Sequence, residues 1–202
     1  TTKAMAKLYA SQLERFDAEK FIEKAQPVEG YLFPDTYFFL PNATEDTVIE
    51  AMRQNFDTNI ETLVGDITKF GKPLNEVVIL ASILEKEAHN YQDRRMIAGV
   101  LWRRLRIDMA LQVDAAFLYS LGYATFDLTK ADLANKDDPY NTYANKGLPP
   151  GAIGSPSLSS LKAAVNPIDQ GYLFYLADSS GTTHYSATYE EHLRKKRYYL
   201  GD

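Results

Sequence analysis

Apolar positions recur every three to four residues along much of the chain, the spacing of helices that bury one face. Met5, Leu8, Tyr9, Leu13, Phe16, Phe21 and Ile22 trace such a stripe over 4–24, with 16–19 breaking it in two and Gln26-Pro27 ending it. Val48, Ala51, Met52, Phe56, Ile60 and Leu63 predict a second helix, with Thr44 as N-cap, running to about Val64 and followed by a loop at 70–73. A third, about 75–88, differs in kind. Val77 to Leu84 is apolar on every side, as in a helix enclosed by the core. A fourth covers about 92–105, with Ile97, Val100, Leu101 and Leu105 inward and Arg94, Arg95, Arg103 and Arg104 mostly outward.

Other segments follow a shorter rhythm. The stretch 29–41, aromatic and punctuated by prolines, predicts extended chain around a turn. Residues 109–114 alternate like a short strand or entry turn; 115–121 is helical and stops at Gly122, and 129–133 makes another helical turn. Residues 140–156 form a long loop rich in Gly, Pro and Asn, a length that in compact domains often serves function. Ser157 caps a helix to about Val165. Segments 172–178 and 182–186 flank Ser179-Ser180-Gly181, a hairpin signal, before a last helix from Thr188 to about Leu200. The predicted class is α+β: a mainly helical core with short antiparallel strands and a C-terminal β-hairpin followed by a helix.

Composition removes several functions. With 22 Lys and Arg against 27 Asp and Glu, the net charge is -5, which offers no basic face to nucleic acid. Cysteine is absent, so disulfides and thiolate metal sites are excluded. His89, His184 and His192 lack metal-ligand spacing, and neither a G-x-S-x-G elbow nor a phosphate loop occurs. No metal and no cofactor is expected. The longest apolar run, Val77 to Leu84, is eight residues, far below a membrane span, and there is no signal peptide. Thr1-Thr2-Lys3 falls inside a predicted helix, so we expect a soluble fragment whose anchor or export signal lies outside it.

The candidate for chemistry is Glu85, a carboxylate at the end of the fully apolar helix. Desolvation there disfavours its charged form and favours a neutral acid able to protonate a glycosidic oxygen. Helical spacing puts Ala81, Ser82, Ala88 and His89 on its face and turns Glu87 about 200° away. On pattern alone, a plain solvated helix end at Glu85-Lys86-Glu87 is the commoner case. Asp114 reads equally as a second carboxylate, a sugar-hydroxyl partner or a helix N-cap. Tyr140-Asn141-Thr142-Tyr143 offers an amide, a hydroxyl and two rings close together.

Seven stretches in order resemble the endolytic murein transglycosylase (YceG-like) family. They are Glu29 to Tyr37, Leu80 to Glu87, Val100 to Leu105, Met109 to Asp114, Tyr140 to Tyr143, Gly147 to Ile153 and Leu161 to Pro167. The resemblance spans about 29–200. It implies that 29–202 is the catalytic domain and that 1–28 leads from a LysM-like and membrane-anchor region not contained in the chain. It implies a place on the extracytoplasmic face of a bacterial membrane, glycan strands of peptidoglycan as substrate, and cell-wall synthesis enzymes as candidate partners. The family's catalytic acid, the first Glu of Glu85-Lys86-Glu87, is Glu85. As general acid then base, it would cut the bond between N-acetylmuramic acid and N-acetylglucosamine and leave a 1,6-anhydro end, with no water and no cofactor. Gln112, Asp114, Tyr140, Asn141, Thr142 and Tyr143 would orient the sugars. Two alternatives stay open: a muramidase-type hydrolase pairing Glu85 with Asp114, and a non-catalytic glycan-binding module.

Overall fold

The computed structural model describes residues 1–122 and 128–201. The chain forms two compact units: residues 1–85 with 150–165, and residues 86–149 with 166–202. The architecture is α+β, with a two-stranded antiparallel sheet. Among the described residues no helix is long and apolar enough to cross a membrane.

In the first unit the stripe over 4–24 folds as two helices, α1 (Thr2–Ala10) and α2 (Ala18–Ala25). Asp17 starts α2 by accepting the Glu19 and Lys20 N–H groups at 3.1 Å each, which satisfies two of the donors a helix start leaves open. Ala6, Tyr9, Phe21 and Ala25 from these helices share one core cluster with Leu32, Val48 and Met52. Residues 1–28 are therefore packed into the unit, not appended to it. Residues 31–40 form neither helix nor strand.

The stripe over 44–64 becomes α3 (Glu45–Glu61), and a helix that the pattern does not predict follows, α4 (Val64–Phe70), closed by Gly71 at φ 77°. Its apolar signal is thin because Gly65 and Asp66 interrupt it, and α4 gains its contacts from α9 (Leu158–Val165), far along the chain. Helix α5 (Leu74–Glu87) buries every residue from Val77 to Leu84. Gly30 lies against it at φ 91°, where a Cβ would come within 2.8 Å of Val78 and 2.5 Å of Ala152. Only glycine fits that approach.

The second unit is built on α6 (Tyr91–Arg106), whose cap Asn90 accepts the Asp93 N–H at 2.8 Å. Gly99 lets the helix backbone meet the chain at Ile168, whose carbonyl oxygen lies 2.1 Å from where a Cβ would stand. Arg95 fastens the same segment, its side chain donating to the Asn166 carbonyl and its own carbonyl accepting the Ile168 N–H. Helix α7 (Asp114–Leu121) ends at Gly122 at φ 69°, and α8 (Lys130–Ala134) carries a capping box between Thr129 and Asp132. Strands β1 (Phe174–Ala177) and β2 (Thr183–Ser186) pair from Phe174 with Ser186 to Ala177 with Thr183, and α10 (Tyr189–Leu200) packs on them.

Two expectations are corrected here. Residues 109–113 are not a strand, because side chains take their backbone groups: Arg104 Nη1 donates to the Leu111 carbonyl at 2.6 Å, and Thr142 bonds both backbone groups of Val113 at 3.0 Å. Arg104 does not point outward but is 4% exposed, its charge dispersed over the carbonyls of Leu111 and Leu173.

Candidate active site

Glu85 is half-buried near the end of α5. One of its oxygens, Oε2, accepts three hydrogen bonds: from the Ser157 N–H at 2.9 Å, the Ser157 hydroxyl at 2.6 Å and the Ser160 hydroxyl at 2.6 Å. Ser157 opens α9, since its carbonyl accepts the Leu161 N–H and its hydroxyl the Ser160 N–H at 3.4 Å. The carboxylate thus sits at the amino end of a helix, where backbone donors and the helix dipole favour negative charge. Convergence on Oε2 fixes the carboxyl plane.

Ser82 locks the helix beneath. Its hydroxyl, 1% exposed, donates to the Ile79 carbonyl at 2.7 Å and accepts the Ile153 N–H at 3.0 Å. The loop that delivers Ser157 is therefore tied to α5 four residues before Ser157 itself.

In the second unit the expected sugar-holding residues divide. Gln112 is exposed at φ 50°, a left-handed backbone that is costly for a residue with a Cβ. The Thr142 carbonyl accepts its N–H at 2.9 Å and holds it there. Asp114 is the first residue of α7, not its N-cap; Val113 takes that position with no side-chain bond. The Asp114 carboxylate instead accepts the Tyr143 hydroxyl at 2.5 Å. Burial first, and the Asp114 carboxylate second, push the Tyr143 phenol well up, so it stays a neutral donor.

Asn141 and Thr142 do not present their polar atoms outward. Asn141 is wholly buried; its amide donates to the carbonyls of Asp132, Leu133 and Asn135 and accepts the Tyr143 and Ala144 N–H groups. Thr142, 2% exposed, is spent on Val113. Both side chains are engaged with backbone groups around them. Tyr140 is half-buried, its ring 5.2 Å from that of Tyr119.

Gln112, Asp114 and Tyr143 open on a cavity of about 300 Å³ within the second unit. Sequence reading does not single out the rest of its wall: Glu87, Arg104, Phe174, Tyr175, Tyr189 and His192. The Tyr175 hydroxyl donates to Glu87 Oε2 at 2.8 Å. Burial raises the Glu87 carboxyl above its usual range, and the Asp114 charge adds to it, against hydrogen bonds from Tyr175 and the Ala115 N–H. His192 is held toward its neutral form by burial first and then by Arg104 and Lys196. The signals were faint. Ser157 and Ser160 form a cap-spaced pair, and Glu87 is the second acid of Glu85-Lys86-Glu87. No local pattern marks Tyr175 or His192.

Residues 1–198 match the YceG-like family, so the match takes in 1–28 as well as the motifs downstream. An endolytic murein transglycosylase of Bacillus subtilis is 38% identical over 175 residues, covering 86% of this chain and 48% of the relative. One from Streptococcus pneumoniae is 37% identical over 172 residues, covering 83% of this chain and 31% of the relative. The chain thus spans about half of the first and about a third of the second. A crystal structure of a yceG-like protein from Listeria monocytogenes superposes with a TM-score of 0.78 at 37% identity, covering 88% of this chain and 63% of that one.

Proposed function

We propose that this chain, which belongs to the YceG-like family, cleaves peptidoglycan glycan strands internally, between N-acetylmuramic acid and N-acetylglucosamine, with Glu85 as general acid and then base. The observation that carries the reading is the carboxyl of Glu85, pinned at the end of a buried helix by three donors on one oxygen. The relatives from Bacillus subtilis and Streptococcus pneumoniae are endolytic murein transglycosylases, which supports the substrate.

The steps need one carboxyl. Protonated, Glu85 gives its proton to the bridging oxygen as the glycosidic bond breaks, and positive charge builds at the anomeric carbon. The substrate's own N-acetyl group stabilises that charge. The carboxylate, now held as an anion by Ser157 and Ser160, takes the proton from the C6 hydroxyl of the muramic acid, whose oxygen closes the 1,6-anhydro ring. The proton removed equals the proton given, and no water is consumed. In the second unit, Gln112, Asp114 and Tyr143 are the proposed sugar-holding groups; Asn141 and Thr142 support their loop, and Tyr140 flanks it. The whole protein is proposed to act at the outer face of the bacterial membrane, with its anchor outside this chain and wall-synthesis enzymes as partners.

The test is digestion of purified, peptide-free glycan strands by wild type and by Glu85→Gln, with products read by mass spectrometry. The amide keeps a carbonyl oxygen for the three donors, so the variant retains its fold and loses only the proton. Wild type is expected to yield anhydro-ended fragments, and Glu85→Gln to be slower by about 10²- to 10⁴-fold, the usual worth of a general acid. Reducing ends from wild type, or equal digestion by both proteins, would overturn the proposal.

A further inference from the structure

Helix α10 has two faces with different surroundings. One lines the cavity with Tyr189 and His192. The other bears an open groove of about 380 Å³ walled by Glu191, Arg194, Lys195, Tyr198 and Tyr199, residues spaced three and four apart and so aligned along one side of the helix. We propose that this outer face is a docking site for a short peptide with free carboxylates, of the kind that branches from the muramic acids of wall glycan.

The groove is built from a held ring and a bare one. Tyr199 lies nearly flat on His184, with 3.6 Å between centroids and 16° between planes, and His184 Nε2 meets Asp178 Oδ2 at 2.7 Å, so the hairpin fixes that ring. Tyr198 stands edge-on to Tyr199 at 4.7 Å and is 80% exposed. Beside it, Arg194 and Arg197 are exposed, and neither has an ion-pair partner among the described residues; Arg197 Nε reaches the Leu193 carbonyl at 3.4 Å. Lys195 is engaged, by Glu191 at 2.8 Å and by the Tyr185 carbonyl. The groove thus sets two planar guanidiniums, which take carboxylates through paired hydrogen bonds, next to an open aromatic face.

Charge selects the occupant. The chain is acidic, with a net charge of -5, yet the bases at 194–197 follow one another with no acid between them. The acids of α10, Glu190 and Glu191, stand in its first turn, and Glu191 is already bonded to Lys195. A helix dipole favours this order of charges but does not account for a tyrosine left bare among the bases. A flat anionic surface laid along α10 meets the acids as well as the bases. A short ligand over its C-terminal half meets bases and rings alone. Neutral glycan gains little from two guanidiniums, whereas a peptide with carboxylates gains from both. Gln112, Asp114 and Tyr143, the proposed sugar-holding groups, open on the same cavity as Tyr189 and His192, so a peptide hanging from a strand held there lies beside α10.

The assignment to wall peptide rests on the glycan reading above, so the test separates docking from cleavage. The probe is the peptide N-acetyl-Ala-Glu-Ala-Ala with its carboxylates free, compared with a neutral form that has Gln for Glu and an amidated end. Each is titrated into isotope-labelled wild type and the double variant Arg194→Gln/Arg197→Gln and followed by amide shifts in two-dimensional NMR. Both substitutions lie on the exposed face, so thermal melting is expected to stay unchanged. Wild type is expected to bind the acidic peptide with shifts centred on 194–200. The neutral peptide, and the double variant with the acidic one, are each expected to bind about fivefold more weakly, the worth of two exposed ion pairs. Absence of wild-type binding, equal affinity for the two peptides, or equal affinity of the two proteins for the acidic one overturns the inference. So does capture of wild type by phosphatidylglycerol vesicles without peptide binding, which gives the face to lipid instead. Cleavage is measured separately on glycan strands with and without their peptide branches. A lower KM on branched strands, lost in the double variant while kcat on bare strands is kept, is expected; equal KM on both removes wall peptide as the ligand. Peptide binding by a wild type that cuts no glycan leaves the docking face standing and removes the cleavage reading. Cleavage by a wild type that binds no peptide does the reverse.

Discussion

The Ser160 hydroxyl donates to Glu85 Oε2 at 2.6 Å, across 75 residues of chain. Ser160 is fully buried, and the oxygen it reaches also takes both donors of Ser157. The consequence is a carboxyl whose orientation is set by the start of α9 and not by its own helix. An unsupported glutamate has three rotatable bonds and loses entropy each time it must be aimed. This one is aimed before substrate arrives, the condition under which an acid acts efficiently.

Ser160→Ala removes one hydrogen bond to a charged group, worth about 1.5–3 kcal/mol. Activity on glycan strands is expected to fall about 10- to 100-fold in kcat with KM little changed. Loss of a donor to the anion also raises the proton affinity of Glu85, so the whole pH–rate profile moves to higher pH, a shift that a merely structural defect does not produce. Ser157→Ala should do the same and in addition lower the melting temperature, because it strips the N-cap of α9 at a cost of about 1 kcal/mol. Equal pH profiles for wild type and Ser160→Ala would remove Ser160 from the acid's support.

The parts of the fold that are legible in sequence are those set by neighbours. Val77 to Leu84 reads as a core helix because every side of it is apolar, and all eight residues are buried. Gly122 and Ser179-Ser180-Gly181 read as a helix stop and a hairpin turn because backbone geometry there is local, and both are found. Arg104 does not read as buried. Its neighbours Arg103 and Arg106 look alike in sequence, and what distinguishes it is a pair of carbonyls at Leu111 and Leu173. Asn141 reads as a ligand-binding amide because its type is right; only the carbonyls of the α8 segment reveal that the amide is already used. The cradle of Glu85 depends on the start of α9 and the wall of Glu87 on β1 and α10, contacts no local pattern encodes.

Gly99→Ala should be among the most damaging single changes in the second unit. The added methyl would stand 2.1 Å from the Ile168 carbonyl oxygen and 2.7 Å from its carbon, both backbone atoms that cannot swing aside. The helix and the 166–169 segment must part, which breaks the Arg95 to Asn166 and Ile168 to Arg95 hydrogen bonds. Overpacking of this kind costs about 1–3 kcal/mol or more, against about 1 kcal/mol that alanine gains over glycine inside a helix. The check is thermal unfolding together with amide exchange: the melting temperature falls, and protection drops at α6 and at 166–169. A variant as stable as wild type would show that the close approach is not a constraint.

Glu87 makes stability depend on pH in a direction opposite to most acids. Burial and the Asp114 carboxylate raise its folded value above the ordinary 4.5, against hydrogen bonds from Tyr175 and Ala115. Arg104, Tyr143 and His192 share the same wall. Between the unfolded and folded values the native state holds a proton that the unfolded chain has released, so stability falls as pH rises through that window. Glu87→Gln cannot ionise and lacks the effect. The melting temperature of wild type should therefore decline relative to Glu87→Gln as pH is raised from about 4.5 upward, with a slope of at most about 1.4 kcal/mol per pH unit, and the difference should level off once the folded carboxyl has ionised. Groups outside the cavity titrate equally in both proteins and cancel. A difference that is flat with pH, or that grows in favour of wild type as pH rises, would mean that Glu87 is ionised in the folded chain across the range and that its contact with Tyr175 outweighs burial.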